Sequence, residues 1–445
     1  MTYVFRKMNA NFLIQRQAQK SGKSRYKNSK RVKQLCLQEF NTTILMHSVA
    51  EVEKIILQQA FSPEQEDVGL SEALGRILGE DLPADRDFPP FDRVTMDGIA
   101  IGHEQFAAGR RTFTIQGVQA AGKPGLRLPD GADCLEVMTG AMLPEGTDTV
   151  ICYEDLQIEN GAATILNGGI TFRQNVHFQG VDRKAGDLLV QKGRKIGPAE
   201  IATAATIGKS RLLVNRLPRT AIVSTGDELV PVMETPLPYQ IRSSNVFALQ
   251  ALLKEQFSLD SQIFHFPDDQ AEIAKGLSEI FNSFELVILS GAVSEGKFDF
   301  VPLVLDSLGV KKHFHKVSQR PGKPFWFGQL PGKAVIFALP GNPVSAFLCA
   351  CRYVLPFMRR SLGEPAKAPE MAELSEKVVF KRPMTYFLPV RLLSGSNAVL
   401  QAHPLPGHGS GDLANLNDAD GFLELSLERD VFLPGEQFPL HRYRF

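Results

Sequence analysis

The sequence predicts a multidomain protein of α/β and β class: a doubly wound α/β domain, an inserted all-β domain, a discontinuous helical linking domain and a C-terminal β domain. Three observations predict it. Between residues 220 and 360 strand-like and helix-like runs alternate, the signature of a mostly parallel sheet covered by helices. Between about 85 and 185, short β runs are split by Gly and Pro. Two amphipathic stretches, 49–60 and 198–208, flank that β region, which implies that the flanks fold together around an insert.

In chain order, residues 1–45 hold ten of the 49 basic residues and one of the 49 acidic ones, Glu39. They lack regular apolar repeats and the apolar core of a signal peptide. We expect a basic, disordered extension, with Met46 as the biological start; an arm that binds RNA or a membrane is the alternative. Residues 46–84 with 186–218 are expected to form the linking domain, with a helix at 49–60, a second at 70–79 and a third at 198–208. The all-β insert spans 85–185, with strands at 112–117, 133–138, 149–154 and 163–166. The α/β domain spans 219–362. Its strands are expected at 221–224, 262–266, 286–289 and 334–338, and its helices at 245–255, 271–282, 300–308 and 344–360, the last kinked near Pro356. Residues 363–445 return to short strands.

Composition excludes several classes. The 445 residues are 43% hydrophobic and 22% charged, as in ordinary globular chains. No run of 18 apolar residues occurs, so no membrane span is expected. Beyond residue 45 acids outnumber bases by nine, which argues against general nucleic-acid binding. Five scattered cysteines without a CxxC pair argue against a zinc site or a disulfide framework and fit a reducing cytoplasm.

In open α/β sheets ligands sit beyond the carboxyl ends of the strands. Three expected strands end in polar clusters: Val223-Ser224-Thr225-Gly226-Asp227-Glu228, Ser290-Gly291-Ala292-Val293-Ser294-Glu295-Gly296-Lys297-Phe298-Asp299, and Leu339-Pro340-Gly341-Asn342-Pro343-Val344-Ser345. Gly beside Ser or Thr gives turns whose N–H groups can face an anion, and the third cluster opens a helix. Any one alone would read as an ordinary strand-to-helix turn; three on one sheet describe a phosphate-and-metal crevice. Its carboxylates are Glu228, Asp268, Asp269 and Asp299, suited to a divalent cation or a sugar hydroxyl. Arg320-Pro321-Gly322-Lys323-Pro324 carries two cations on a stiff loop, suited to an oxyanion. No GxGxxG follows a strand, which excludes a nucleotide dehydrogenase. His313 and His315 alternate as on a strand and, with His265, read as surface or satisfied residues.

These segments, with Phe91-Asp92-Arg93-Val94-Thr95-Met96-Asp97-Gly98 and Met138-Thr139-Gly140-Ala141, resemble the signature segments of the MoeA family, which includes the C-terminal region of gephyrin. The resemblance covers about residue 48 to 445. It implies that the α/β domain binds molybdopterin. It also implies an enzyme that transfers molybdate onto the dithiolene of adenylylated molybdopterin, releasing AMP, with Mg²⁺ or a similar divalent cation. The implied catalytic residues are Asp92, Thr139, Glu228 and Asp299, with Glu228 and Asp299 on the metal. The implied substrate contacts are Asp182, Ser224, Thr225, Gly226, Asp268, Ser290, Gly291, Arg320, Lys323, Pro340, Gly341, Asn342, Ser345 and Ser410. The implied assembly is a homodimer in which Asp92 and Thr139 face the partner's α/β domain. A molybdopterin adenylyltransferase acts upstream, and molybdoenzymes or their chaperones receive the product. Asp97 is open between a site role and a turn role.

The chain departs from the family pattern at Val94, Thr95 and Ile99 around Met-Asp-Gly, at His177-Phe178-Gln179-Gly180-Val181-Asp182 where an Arg-rich stretch is expected, at Arg320 for Lys, at Ala292 for Gly, and at Pro389 for Arg. The altered loops favour an alternative: a catalytically reduced paralogue that binds molybdopterin as a scaffold or inserter. The related adenylyltransferase step is a third reading, opposed by the all-β insert and the C-terminal module.

Overall fold

A computed structural model describes residues 46–129, 133–291, 293, 299–395, 398–405 and 407–444. The basic extension, most of the segment between Gly291 and Asp299, and Pro406 lie outside the described residues. The described residues form two compact units: those within 46–61, 218–361 and 366–444 in the first, and those within 62–217 and 362–365 in the second.

At the centre of the first unit is a six-stranded sheet. Its elements are β1 (Thr220–Thr225), α1 (Asn245–Phe257), β2 (Ser261–Phe266), α2 (Gln270–Ser283), β3 (Leu286–Ser290), α3 (Val301–Ser307), β4 (Lys311–His315), β5 (Trp326–Leu330) and β6 (Ala334–Leu339). The strand order is β2-β1-β3-β6-β5-β4, parallel through the first four and antiparallel for the last two. Every residue of β1, β3 and β6 is buried, the continuous apolar pattern of strands covered on both faces. Period-2 alternation sorts their side chains. Ala221, Val223, Val287, Leu289, Ile336 and Ala338 face α2 and α3, which bring Ile273, Leu277, Val301 and Leu305. On the other face, Phe337 packs edge-on against Phe357, and Phe325 stacks on Tyr353, both partners belonging to the 343–361 helix.

That helix is not simply kinked at Pro356. It runs Pro343–Cys349, widens to one π turn at Ala350–Val354, and resumes as Leu355–Ser361. Proline cannot donate an intrahelical bond, and the wider turn just ahead of it absorbs the mismatch. The π turn presents Arg352 inward, with 7% of its side chain exposed. The guanidinium donates to both Glu53 oxygens at 2.9 Å and, through Nε, to Glu424 at 2.9 Å. His441 Nε2 lies 2.8 Å from the same Glu424 carboxylate.

Glu53 sits on the helix Val49–Gln58, started by a reciprocal capping box between Ser48 and Glu51. Residues 46–61 therefore group with the α/β body, held by Arg352, by Arg360 donating to Leu57 O and by Phe61 against Phe357, rather than with 186–218. Glu424 and His441 belong to the C-terminal module. There Glu370–Leu374, Thr385–Ser394, Leu400–Pro404, Gly421–Leu425 and Gln437–Arg442 pair in a closed ring, a small barrel with no free edge around Leu388, Val390, Leu423 and Phe438.

Burial pushes His441 below the usual imidazole range. Burial would raise Glu424, but His441 and Arg352 outweigh it and hold the carboxyl below its usual range. The two signs agree, because in both cases the unfolded chain takes up a proton that the native chain does not. The stability from His441 is full above about pH 6.5 and is lost as pH falls below it; that from Glu424 is lost lower, as pH falls from about 4.3 through its depressed native value. Thermal unfolding of the first unit should therefore weaken in two stages on acidification. His441→Leu should remove the upper stage; an unfolding temperature flat from pH 7 to 5 would contradict this.

In the second unit, Gln65–Gly69 pairs antiparallel with Arg211–Asn215, and Leu82–Pro83 with Leu188–Val190. Val68, Leu78, Leu82, Val190, Ile196 and Leu212 share one core. The helix expected at 70–79 is a single turn, Leu70–Ala73, ended by Gly75 with φ +80°. Within 85–185 a six-stranded sheet runs in the order Thr149–Cys152, Gly98–Ile101, Cys134–Val137, Thr112–Gln119, Ala162–Ile165, Leu156–Glu159. Gly98 is required by close approach: a Cβ there would lie 1.9 Å from Ile151 O. Among the described residues no helix is long and apolar enough to cross a membrane.

Candidate active site

A crevice of about 810 Å³ opens at the carboxyl ends of β1, β3 and β6, wholly within the first unit. Each strand delivers one polar cluster. β1 ends at Ser224 and Thr225, followed by Gly226 with φ +137°; a Cβ there would meet the Glu228 carboxylate at 2.4 Å. β3 ends at Ser290, followed by Gly291 with φ +108°. β6 runs into Pro340, Gly341 and Asn342, where Pro343 starts the helix and Ser345 is buried in its first turn. All of these residues line the crevice.

Asn245, at the head of α1, ties two clusters together: its side-chain amide donates to Ser290 Oγ at 2.9 Å and to Gly341 O at 2.8 Å. Our sequence reading missed it, although Ser243-Ser244-Asn245 ahead of an apolar helix is a polar signal of the same kind. Ser224 is less available than expected, because its hydroxyl faces His265 Nδ1 at 3.1 Å on the neighbouring strand. Thr225 Oγ1, by contrast, is buried and has no hydrogen-bond partner among the described residues. A buried hydroxyl left unpaired beside a polar crevice fits a ligand that supplies the missing bond.

Glu228, Asp268 and Asp299 line the crevice. Burial first, and then the charges of Glu228, Asp227 and Asp299, raise the Asp268 carboxyl above its usual range. Crowded carboxylates of this kind are relieved by a cation. Hard oxygen donors suit Mg²⁺, which is held by one or two carboxylates completed by water and substrate phosphates. Among the described residues no three His, Cys, Asp or Glu side chains are grouped as a metal site of their own. Asp269 drops out of the set: it caps α2, accepting from Ala271 N and Glu272 N at 2.9 Å.

Arg320, Lys323 and Arg382 line the same crevice. The strand Gln319–Arg320 pairs with Thr385–Ser394, placing Arg320 opposite Tyr386. The C-terminal module also supplies Pro389 and Ser410. Ser410 is fastened to the third cluster, accepting from Asn342 Nδ2 at 2.8 Å through its hydroxyl and from Val344 N at 3.1 Å through its carbonyl.

Asp92, Thr139 and Asp182 lie in the second unit, and none lines this crevice. Asp92 accepts from Gln179 N at 2.8 Å. Thr139 donates through its amide at 2.6 Å and its hydroxyl at 2.7 Å to Asp97, and these two bonds hold the Asp97 carboxyl below the usual range. Asp97 is thus engaged in orienting Thr139. Asp182 accepts from His177 at 3.1 Å, and the other nitrogen of that ring faces Arg93 at 3.1 Å. The altered loop therefore keeps a cation, Arg93, two bonds from Asp182. Of the β4 histidines, His315 meets Val293 O at 3.0 Å, whereas His313 Nε2 is buried without a partner among the described residues, and burial with Lys311 nearby lowers its basicity.

Fold and crevice together define a multidomain protein with an anion-and-cation pocket on an α/β domain. Family models match in sequence order: the MoeA N-terminal region (domain I and II) at 47–208, a probable molybdopterin binding domain at 221–360 and the MoeA C-terminal region (domain IV) at 371–442. A molybdopterin molybdenumtransferase of Synechocystis sp. is 39% identical over 406 residues, 89% of this chain and 100% of that one. Another, from Haemophilus influenzae, is 33% identical over 317 residues, 70% of this chain and 76% of that one. The crystal structure of the molybdopterin biosynthesis MoeA protein from Pyrococcus horikosii superposes with a TM-score of 0.76 at 30% identity, covering 90% of this chain and 100% of that one. The chain belongs to the MoeA family.

Proposed function

We propose that the crevice transfers molybdate onto the dithiolene of adenylylated molybdopterin with release of AMP. The chain is an enzyme of molybdenum cofactor biosynthesis, of the molybdopterin molybdenumtransferase type. The observation that carries the reading is that one crevice is lined both by carboxylates that follow β1 and β3 and by the cations of the 320–323 loop. Arg320 and Lys323 hold the molybdate dianion. Thr225, Ser290, Ser345 and the turn amides hold the pterin phosphate and adenylyl groups. Glu228 and Asp299, with Asp268 beside them, hold the divalent cation, which supplies neutralisation of phosphate charge while the phosphoanhydride is hydrolysed.

The proposed assembly is a cytoplasmic homodimer in which Asp92, Thr139 and Asp182 of the partner subunit complete each crevice. A molybdopterin adenylyltransferase supplies the substrate, and recipient molybdoenzymes or their chaperones take the product; nucleic acid and membrane have no part. The scaffold reading is not favoured, since the matched relatives are named as transferases.

Two expected results test this. Arg320→Ala should raise the molybdate concentration needed for half-maximal turnover by about tenfold, roughly 1.4 kcal/mol, with pterin binding little changed; an unchanged molybdate requirement would remove Arg320 from the anion site. Subunits carrying Asp92→Ala and Asp299→Ala, each inactive alone, should regain activity when mixed, because one of the two sites in a mixed dimer is intact. No recovery after confirmed subunit exchange would contradict the shared site.

A further inference from the structure

We infer that Gln319 is a positioning residue for the two cations of the 320–323 loop, and that Tyr353 fixes it in turn. The inference deepens the reading of this crevice as the molybdate site and rests on it. Gln319 is fully buried. Its side-chain amide donates to Pro321 O at 3.2 Å and Gly322 O at 3.3 Å, the two residues that separate Arg320 from Lys323. Its side-chain oxygen accepts from the Tyr353 hydroxyl. Tyr353 is itself buried in the π turn, and burial pushes its phenol well above the usual range, so it stays a donor.

Arg320 is anchored at the loop's start by the pairing of Gln319–Arg320 with Thr385–Ser394, and Cys349 Sγ makes a long contact of 3.9 Å with Gly322 O, but the turn between the two cations has few other bonds. Pro321 and Pro324 bring no N–H, and the backbone bonds that close the turn, Val317 N and Phe325 N to Lys323 O, both fall on its far side. There is also little play. Gly322 has φ +88°, and a Cβ there would lie 2.7 Å from both Gln319 Nε2 and Cys349 Sγ. A saturated buried amide thus sets the carbonyls around which the chain turns from one cation to the next, and a misplacement of about 1 Å is enough to cost an oriented contact.

Gln319→Met keeps the length and removes donor and acceptor; Tyr353→Phe removes the hydroxyl alone. In both, the molybdate concentration for half-maximal turnover should rise about tenfold while turnover at saturating molybdate stays within about twofold of wild type. The double variant should be no worse than Gln319→Met by more than about twofold, since both break one chain of bonds. Hydrogen exchange across residues 319–325 should quicken in both variants. An unchanged molybdate requirement in a folded Tyr353→Phe, or a fall in saturated turnover alone, would overturn the inference. If wild type itself proves not to use molybdate, the reading of the crevice falls, and exchange decides the positioning separately: unchanged exchange refutes it, faster exchange sustains it.

Discussion

Glu228→Gln and Asp299→Asn are each expected to lose at least about 100-fold in rate, roughly 3 kcal/mol of transition-state stabilisation. Both side chains line the crevice beyond the ends of β1 and β3, where burial first, and then their charges and that of Asp227, raise the neighbouring Asp268. A cation held by these carboxylates gains most when charge builds on the phosphoanhydride, so the loss should fall on turnover rather than on pterin binding. The variants should also need more Mg²⁺ for AMP release. Titrating Mg²⁺ at fixed pterin separates the two effects. Wild-type hydrolysis rates in both would mean that these carboxylates do not serve the metal.

Arg352→Met is expected to destabilise the first unit by about 3–5 kcal/mol. The guanidinium is the sole cation among the described residues paired with Glu424, and its removal leaves that largely buried carboxylate with only His441. Glu53, 38% exposed, can turn to water and should matter less. Glu424→Gln in the same chain should therefore restore much of the loss, because the uncompensated charge causes it. The single tryptophan, Trp326, is buried in β5 and reports the unfolding of this unit in urea. A shift below about 1 kcal/mol would show that the pairing is dispensable.

The parallel strands and their helices were legible in the sequence because both signals are local: apolar runs of strand length and apolar faces at helical spacing. The Ser-Gly clusters were legible because ligand sites on such sheets follow strand ends. What escaped depends on distant pairing. β5 is a short run, Trp326–Leu330, beside the Pro-Gly-Lys-Pro loop, and only its antiparallel partners on both sides define it. The π turn escaped because a proline in a helix pattern reads as a simple kink, and the partners of the Arg352 and Tyr353 it turns inward lie some 300 and 34 positions away. Asn245 and Gln319 look like ordinary polar residues until folding brings their partners within reach. Asp269 misled for the opposite reason: a carboxylate beside the site can equally be a helix cap, and only geometry separates the two.

The proposed exchange of an adenylyl group for molybdenum in this crevice leaves two products that can be weighed directly. The most direct measurement is mass analysis of the pterin and nucleotide products after mixing the 445-residue chain with adenylylated molybdopterin, molybdate and Mg²⁺. AMP and a pterin carrying molybdenum on its dithiolene are expected, formed in equal amounts and both dependent on molybdate. Intact adenylylated pterin, bound by the protein but recovered unchanged, would contradict it.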